Sequence, residues 1–367
     1  MKPRVLLDAR KARDYGIGRY IVRLLAALAE RDEHRLVALA RAADAPLFPP
    51  SVELVVSEAP HYSLSELAWV RLAIARVRPD LFHAPHYVVP LLPPRRTVVT
   101  VHDLMHLTRP EHDRPAKRAY ARRMLARAVT SAARLITVSE ATRAELIALD
   151  GRAAGKSVTI PHGVGPEFSG SVPMPERGRV RATYALTSPY MLFLGNDKPH
   201  KNLVGLLDAF AMLRGRTLLA HHLVLAGGSR ATAGIRHAEI AARALFGSVH
   251  DLGAVPDADL PPLLAEAAAL VLPSFTEGFG LPVLEAMACG TPVVCSSRGA
   301  LPETAGDAAL FVDPERPREI AGELQRLLLD DALRDELRRR GLARAARFTW
   351  EEAAERTARV YAEVLAS

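Results

Sequence analysis

The chain alternates short apolar runs with longer amphipathic stretches, and it does so twice, which limits its fold more than anything else in it. The runs Val5–Asp8, Leu36–Ala40, Leu54–Val56, Leu81–His83, Val98–His102, Leu135–Val138 and Val158–Ile160 read as strands. Between them Ile17–Glu30, Ser65–Val77, Ala116–Ala133 and Ala141–Leu149 read as helices. A second series follows at Met191–Leu194, His222–Ala226, Leu270–Leu272, Val293–Cys295 and Leu310–Val312. Strands that alternate with helices argue for parallel sheets covered on both faces, an α/β architecture. The stretch 161–189 is rich in Pro and Gly and poor in pattern, so it reads as a seam. Two doubly wound domains are therefore expected, 1–165 and 166–348, with a final helix over 349–367. In such domains ligands bind beyond the carboxyl ends of the strands.

The second series carries the strongest chemical signal, Glu277-Gly-Phe-Gly-Leu-Pro-Val-Leu-Glu285. Glu277 follows a strand and Glu285 lies about one turn into the next helix. The glycines between them let backbone amides approach an anion at the helix start, where the dipole favours negative charge. Two carboxylates to hold sugar hydroxyls and amides to hold phosphates suit a nucleotide sugar. With Pro-Ser-Phe-x-Glu-Gly-Phe-Gly-Leu-Pro before and Gly-Thr-Pro-Val-Val after, residues 269 to 305 resemble the donor site of retaining GT-B glycosyltransferases of family 4. The resemblance implies two Rossmann-like domains facing across a cleft, with the last helix crossing back to the first domain. It implies donor contacts at Glu277, Gly278, Phe279, Gly280 and Leu281, ribose on Glu285 and the base near Val255. Lys201, in Lys198-Pro-His-Lys-Asn202, is similar to the family's basic element and would stabilise the departing diphosphate. His200 stands where the family has Arg, and Asp197 where many relatives have another basic residue. Arg230, after a Gly-Gly turn, is a further candidate for the phosphates.

In the first half, Gly16-Ile-Gly18 after the first strand reads as a loop whose amides approach a phosphate or the acceptor. His102, in Val-His-Asp-Leu, is similar to a family histidine that lies against the donor sugar and the acceptor's approach, and it would donate a hydrogen bond to a sugar hydroxyl or shape the anomeric face. His83, His86, His106 and His112 lie nearby, but their spacing matches no zinc pattern and no Cys accompanies them. Asp257-Ala-Asp259 spells a metal-binding motif of other glycosyltransferases, yet its context reads as a helix N-cap. No metal or cofactor is expected. Cys289 and Cys295 read as reduced, buried small hydrophobes.

Charge is uneven. Residues 1–165 hold 26 Lys and Arg against 16 Asp and Glu, and the remainder hold 22 against 25, so the excess of +7 comes from the first half. Arg114, Arg118, Arg122, Arg123 and Arg127 flank a helix whose apolar side carries Tyr120, Ala121, Met124 and Ala128. That pattern suits either an interfacial helix on anionic lipid or a helix packed on its own sheet. No nucleic-acid motif accompanies the charge. No run approaches the length of a membrane span and the N-terminus does not read as a signal peptide, so a cytoplasmic protein, peripheral at the inner face of the membrane, is expected.

Gly16-Ile-Gly-Arg-Tyr20, Val101-His-Asp-Leu104 and Gly195-Asn-x-Lys-Pro-His-Lys-Asn202 together resemble the bacterial branch that contains mannosyltransferases of surface-polysaccharide assembly. The resemblance implies transfer of a sugar, mannose from GDP-mannose, to a glycan or lipid-linked acceptor. Transfer from a UDP-sugar and a non-transferring nucleotide-sugar epimerase are the alternatives.

Overall fold

Near-continuous apolar strands buried on both faces are what parallel sheets require, and the chain forms two of them. The structure is a computed structural model that describes residues 2–58, 64–108, 115–216, 220–229 and 231–367, with backbone alone at 64–67 and 216. Met1–Gly163 with Phe348–Ser367 forms one compact unit and Val164–Arg347 the other.

The first unit contains β1 (Arg4–Asp8), β2 (Arg35–Ala40), β3 (Glu53–Val56), β4 (Leu81–Ala84), β5 (Thr97–Val101), β6 (Arg134–Thr137) and β7 (Ser157–Thr159). Their order is β3-β2-β1-β4-β5-β6-β7, all parallel. The order reverses between β1 and β4, which opens a crevice at their carboxyl ends. Helix Tyr15–Arg31 and the last helix, Trp350–Ala366, pack one face through Ile21, Leu24, Ala354 and Tyr361. Helix Pro115–Ser131 covers the other face with Ala121, Leu125, Ala128 and Val129.

The second unit contains β8 (Tyr190–Leu194), β9 (His222–Ala226), β10 (Val249–Gly253), β11 (Ala269–Leu272), β12 (Val293–Ser296) and β13 (Ala309–Val312). They are ordered β10-β9-β8-β11-β12-β13, again all parallel, with the reversal between β8 and β11. Cys289 and Cys295 are free and buried, and burial raises both thiols, Cys289 to about 12.

Two elements escape the sequence pattern. β10 reads Val-His-Asp-Leu-Gly and is half-buried throughout; as an edge strand with one neighbour it needs no apolar run. Helix Met174–Thr183 lies inside the stretch read as a patternless seam, because Val180 is its one buried residue.

Candidate active site

In the second unit the crevice between β8 and β11 is built by two loops tied to each other. The loop after β8 ends in a short 3-10 turn, Pro199–Lys201, and Asn202 then takes a left-handed backbone with φ 55°. The Asn202 side chain donates to the Pro273 carbonyl at 3.1 Å and the Pro314 carbonyl at 2.7 Å. The Phe275 amide donates to the His200 carbonyl at 2.7 Å. These bonds bring Lys201 to the end of β11, where its Nζ lies 2.8 Å from Glu277 Oε1. The two side chains are 12% and 10% exposed, so the pair is enclosed but still reachable. Burial alone would raise the Glu277 carboxyl. The Lys201 charge and hydrogen bond, with Ser274 and His200 close by, overcome that and hold it below the ordinary carboxylate range. Glu277 is therefore an ionised acceptor of hydrogen bonds, suited to hydroxyl donors.

The glycine turn after Glu277 opens helix Leu281–Ala288. Gly280 sits at φ 95°, and a Cβ there would come within 2.5 Å of Leu301. Pro282 has no amide hydrogen and the Val283 amide bonds the Gly280 carbonyl at 2.9 Å. The amides of Gly280 and Leu281 are thus the first-turn donors left for an anion. The end of the 269–305 stretch braces this turn. The Ala300 amide bonds the Glu277 carbonyl at 3.2 Å, and the Thr304 hydroxyl bonds the Phe279 carbonyl at 2.6 Å. Phe279 and Leu281 are buried, Gly278 lies in the turn, and Val255, just after β10, packs its side chain on the second unit's core. Glu285 is 1% exposed, so its carboxylate is closed off from solvent in this structure.

Asp197 does not stand in a phosphate site. It is bound by Arg236 and by Thr232 Oγ1, and it accepts the Ser229 amide at 3.0 Å. Arg236 also donates to Asp251 at 2.7 Å, so this network fixes the turn after β9. Arg230, within that turn, lies outside the described residues, as do Arg114 and His112. Asp259 stands at the N-cap of helix Leu260–Glu266, as read, but its side chain makes no cap bond; its carboxylate takes Arg179 at 2.7 Å and the Tyr184 hydroxyl at 2.6 Å.

In the first unit the crevice at the ends of β1 and β4 is lined by Asp8, Arg10, Lys11, Pro85 and His86. Arg10 is spent on Asp8, with contacts of 2.8 and 2.6 Å. His102, just past β5, has Nε2 3.0 Å from the Pro85 carbonyl. A carbonyl can only accept, so Nε2 carries the hydrogen and Nδ1 is left as an acceptor. This corrects the expected donor role. Burial, against the opposing pull of the Pro85 bond and with help from Lys11, pushes the ring down to about 4, so it is neutral at pH 7. Rings of Tyr20 and His162 surround it at 4.8 and 5.4 Å, and Trp350 lies 5.7 Å from His162. Tyr20 closes the Gly16-Ile-Gly-Arg-Tyr20 stretch and Trp350 opens the last helix, but nothing in the sequence marks His162 as their neighbour.

Two other expectations change here. Gly16 and Gly18 belong to the first turn of helix Tyr15–Arg31, and the Gly18 amide is bonded to the Asp14 carbonyl at 2.7 Å. The Gly18 amide is therefore not available to a phosphate, whereas Gly16 stands exposed in the first turn; glycine is needed at 18 because a Cβ would meet the Ala12 carbonyl at 2.4 Å. Helix Pro115–Ser131 buries its apolar side in the sheet and turns Arg122 and Arg123 to solvent, with Arg118 half-buried, so it has no apolar face for lipid.

Two parallel sheets that each reverse order at the centre, one holding a Lys201–Glu277 pair ahead of a glycine-opened helix, define a GT-B glycosyltransferase. Residues 179–344 match Glycosyl transferases group 1 and residues 15–168 match Glycosyltransferase Family 4. The chain is 36% identical over 295 residues to O-antigen chain mannosyltransferase B of Escherichia coli, covering 80% of this chain and 76% of that one. Among solved structures it superposes on sucrose-phosphate synthase from Thermosynechococcus elongatus with TM-score 0.80 at 22% identity over the whole of both chains. It superposes equally on Anabaena Alr3699/HepE, solved with UDP and glucose, with TM-score 0.80 at 21% identity over 99% of this chain and 100% of that one. The chain belongs to glycosyltransferase family 4.

Proposed function

We propose that the protein transfers mannose from GDP-mannose to a hydroxyl of a lipid-linked glycan in surface-polysaccharide assembly, with retention at the anomeric carbon and without a metal. The observation that carries the transfer chemistry is the Lys201–Glu277 pair at the β8–β11 crevice. The likeness to a mannosyltransferase named for the O-antigen chain supports the choice of sugar and pathway. Glu277, held ionised, accepts hydrogen bonds from sugar hydroxyls. Lys201 and the amides of Gly280 and Leu281 take the negative charge that grows on the departing diphosphate. Glu285 takes the ribose as the glycine turn closes on the nucleotide, and backbone near Val255 meets the base. The acceptor hydroxyl attacks from the face the diphosphate leaves, and a phosphate oxygen takes its proton. His102 accepts a hydrogen bond from a substrate hydroxyl through Nδ1.

Calorimetric titration with GDP, UDP and ADP, without added metal, tests this reading. GDP is expected to bind at least about tenfold more tightly than the others, which is about 1.4 kcal/mol. Preference for UDP would keep the transfer chemistry and discard mannose. Binding none of the three would overturn the assignment.

A further inference from the structure

Among the described residues of the first unit, the large apolar side chains that stand in solvent include Trp69 at 57%, Leu72 at 58%, Leu91 at 44% and Leu92 at 72% exposure. Trp69 and Leu72 are three residues apart on helix Leu64–Val77 and share a face. Leu91 and Leu92 form the tip of the loop from β4 to β5. The Arg71 guanidinium, beside Leu72, donates to the Leu92 carbonyl at 2.5 Å and joins helix to tip. Leu92 is held at φ 54°, a left-handed backbone that a bulky side chain disfavours. The chain thus accepts strain at a residue whose side chain it leaves exposed, which is unlike a surface leucine left there by chance.

The surroundings are basic. Arg95 and Arg96 follow the tip and are exposed. A groove beside Leu92 and Pro93 is lined by Arg127 and Arg152, the latter paired with Asp150 at 2.6 Å. Among the described residues no helix is long and apolar enough to cross a membrane. A tryptophan and leucines ringed by arginines match the chemistry of the headgroup boundary of an anionic leaflet, where apolar side chains enter and guanidiniums meet phosphates.

We propose that the Leu91–Leu92 tip, with Trp69 and Leu72, inserts into an anionic bilayer surface, and that this tip, rather than the arginine helix Pro115–Ser131, is the membrane contact. The loop that carries the tip begins at Pro85 and His86, which line the β1–β4 crevice. It therefore links the bilayer to the end of the unit where a lipid-linked acceptor would be held. That last link rests on the function proposed above; membrane insertion itself does not.

The test is sedimentation of the full chain with phosphatidylcholine vesicles, with and without phosphatidylglycerol. Binding is expected to the anionic vesicles, and L91S/L92S is expected to weaken it by about tenfold or more. The variant removes exposed side chains, so its melting temperature and GDP affinity should match the parent, and GDP titration of the parent reports separately on the proposed function. Unchanged vesicle binding by L91S/L92S together with its loss in R122S/R123S would move the contact to the helix and overturn the proposal. It would equally be overturned if the parent bound no anionic vesicle and L91S/L92S instead broke a dimer seen by light scattering.

Discussion

The two units share a topology and differ in what fills the central crevice. Each sheet starts at its middle strand, runs to one edge and restarts beside its first strand, so each has a crevice between β1 and β4 or between β8 and β11. In the second unit that place holds an ion pair, Lys201 and Glu277, kept charged although enclosed. In the first the crevice is lined by the Asp8–Arg10 pair and Lys11, and the groups kept neutral stand on the adjoining strands. His102, past β5, is pushed down to about 4, and His83, fully buried on β4, to about 3, both chiefly by burial. Topology chooses where a ligand sits, and the balance of burial against charge decides what the place can do there. A diphosphate needs fixed charge. A sugar hydroxyl needs a neutral acceptor that a proton does not compete for.

The sharpest way to break this contrast is to remove one member of the ion pair. Lys201→Met leaves Glu277 enclosed without its cation, so the carboxyl loses the interaction that outweighs its desolvation. Turnover is expected to fall about 100- to 1,000-fold. Stability of the second unit is expected to fall by about 3 kcal/mol, as for one partner of a buried pair. Glu277→Gln should lose similar activity but less stability: it strands the Lys201 ammonium, yet the Gln oxygen can still accept that group's hydrogen bond. A double variant, K201M/E277Q, should then be more stable than K201M alone. Steady-state rates and chemical denaturation of the three variants check this, and equal stabilities for K201M and the double variant would mean the pair is not coupled.

The pair was legible because its residues fall within a motif a few positions long on each side, as were the strands, whose apolar runs are long enough to show. What was hidden depends on contacts between distant residues. The Gly18 amide looked like a phosphate ligand until helix Tyr15–Arg31 was seen to begin before it. His102 looked like a donor until Pro85, on a separate strand end, took its hydrogen. Asp197 looked like a missing cation, and Arg236 and Thr232 give it a structural role instead. The basic helix left two readings open, and packing decided for burial of its apolar side. Edge strand β10 and helix Met174–Thr183 bury too little to leave a pattern.

Acid should separate the two units. His83, His102 and His162 are all held below the ordinary histidine range by burial, while in an unfolded chain each titrates near 6.5. Below that value the unfolded state binds more protons, so the stabilising contribution is complete above about pH 6.5 and is lost as pH falls toward about 4. At pH 5 each histidine is expected to cost the first unit at most about 2 kcal/mol. Glu277 has the same sign in a lower window: its depressed carboxyl contributes fully above the ordinary carboxylate range, and that contribution is lost as pH falls from there through the lower folded value, so it stays in place between pH 7 and pH 5. His221 and His222, also lowered by burial, are less enclosed and weaken the second unit less. Both tryptophans, Trp69 and Trp350, belong to the first unit, so their fluorescence reports that unit alone. The fluorescence midpoint should drop between pH 7 and pH 5 by more than the later part of the circular-dichroism melt. Equal shifts in both would break the comparison.

The smallest expected effect asks how the last helix is held to the first unit. Tyr361, fully buried, has its hydroxyl 2.6 Å from His83 Nδ1, and His83 Nε2 is 2.8 Å from Thr100 Oγ1. Thr100 Oγ1 is in turn 2.9 Å from the Tyr20 hydroxyl, so one chain of hydrogen bonds joins two helices through the sheet. A neutral imidazole donates from one nitrogen and accepts at the other, which lets every member of this chain be satisfied. Tyr361→Phe keeps the ring and its packing against His34 and His83 but strands one nitrogen of His83 in the core. The loss should be about 1 to 2 kcal/mol, read as a lower fluorescence midpoint with GDP binding unchanged. A variant as stable as the parent would mean that Trp350, Ala354, Ala358 and Val364 hold the helix by apolar contact alone. The buried polar chain would then set only the tautomer of His83, and the neutrality of that ring would rest on burial rather than on hydrogen bonding.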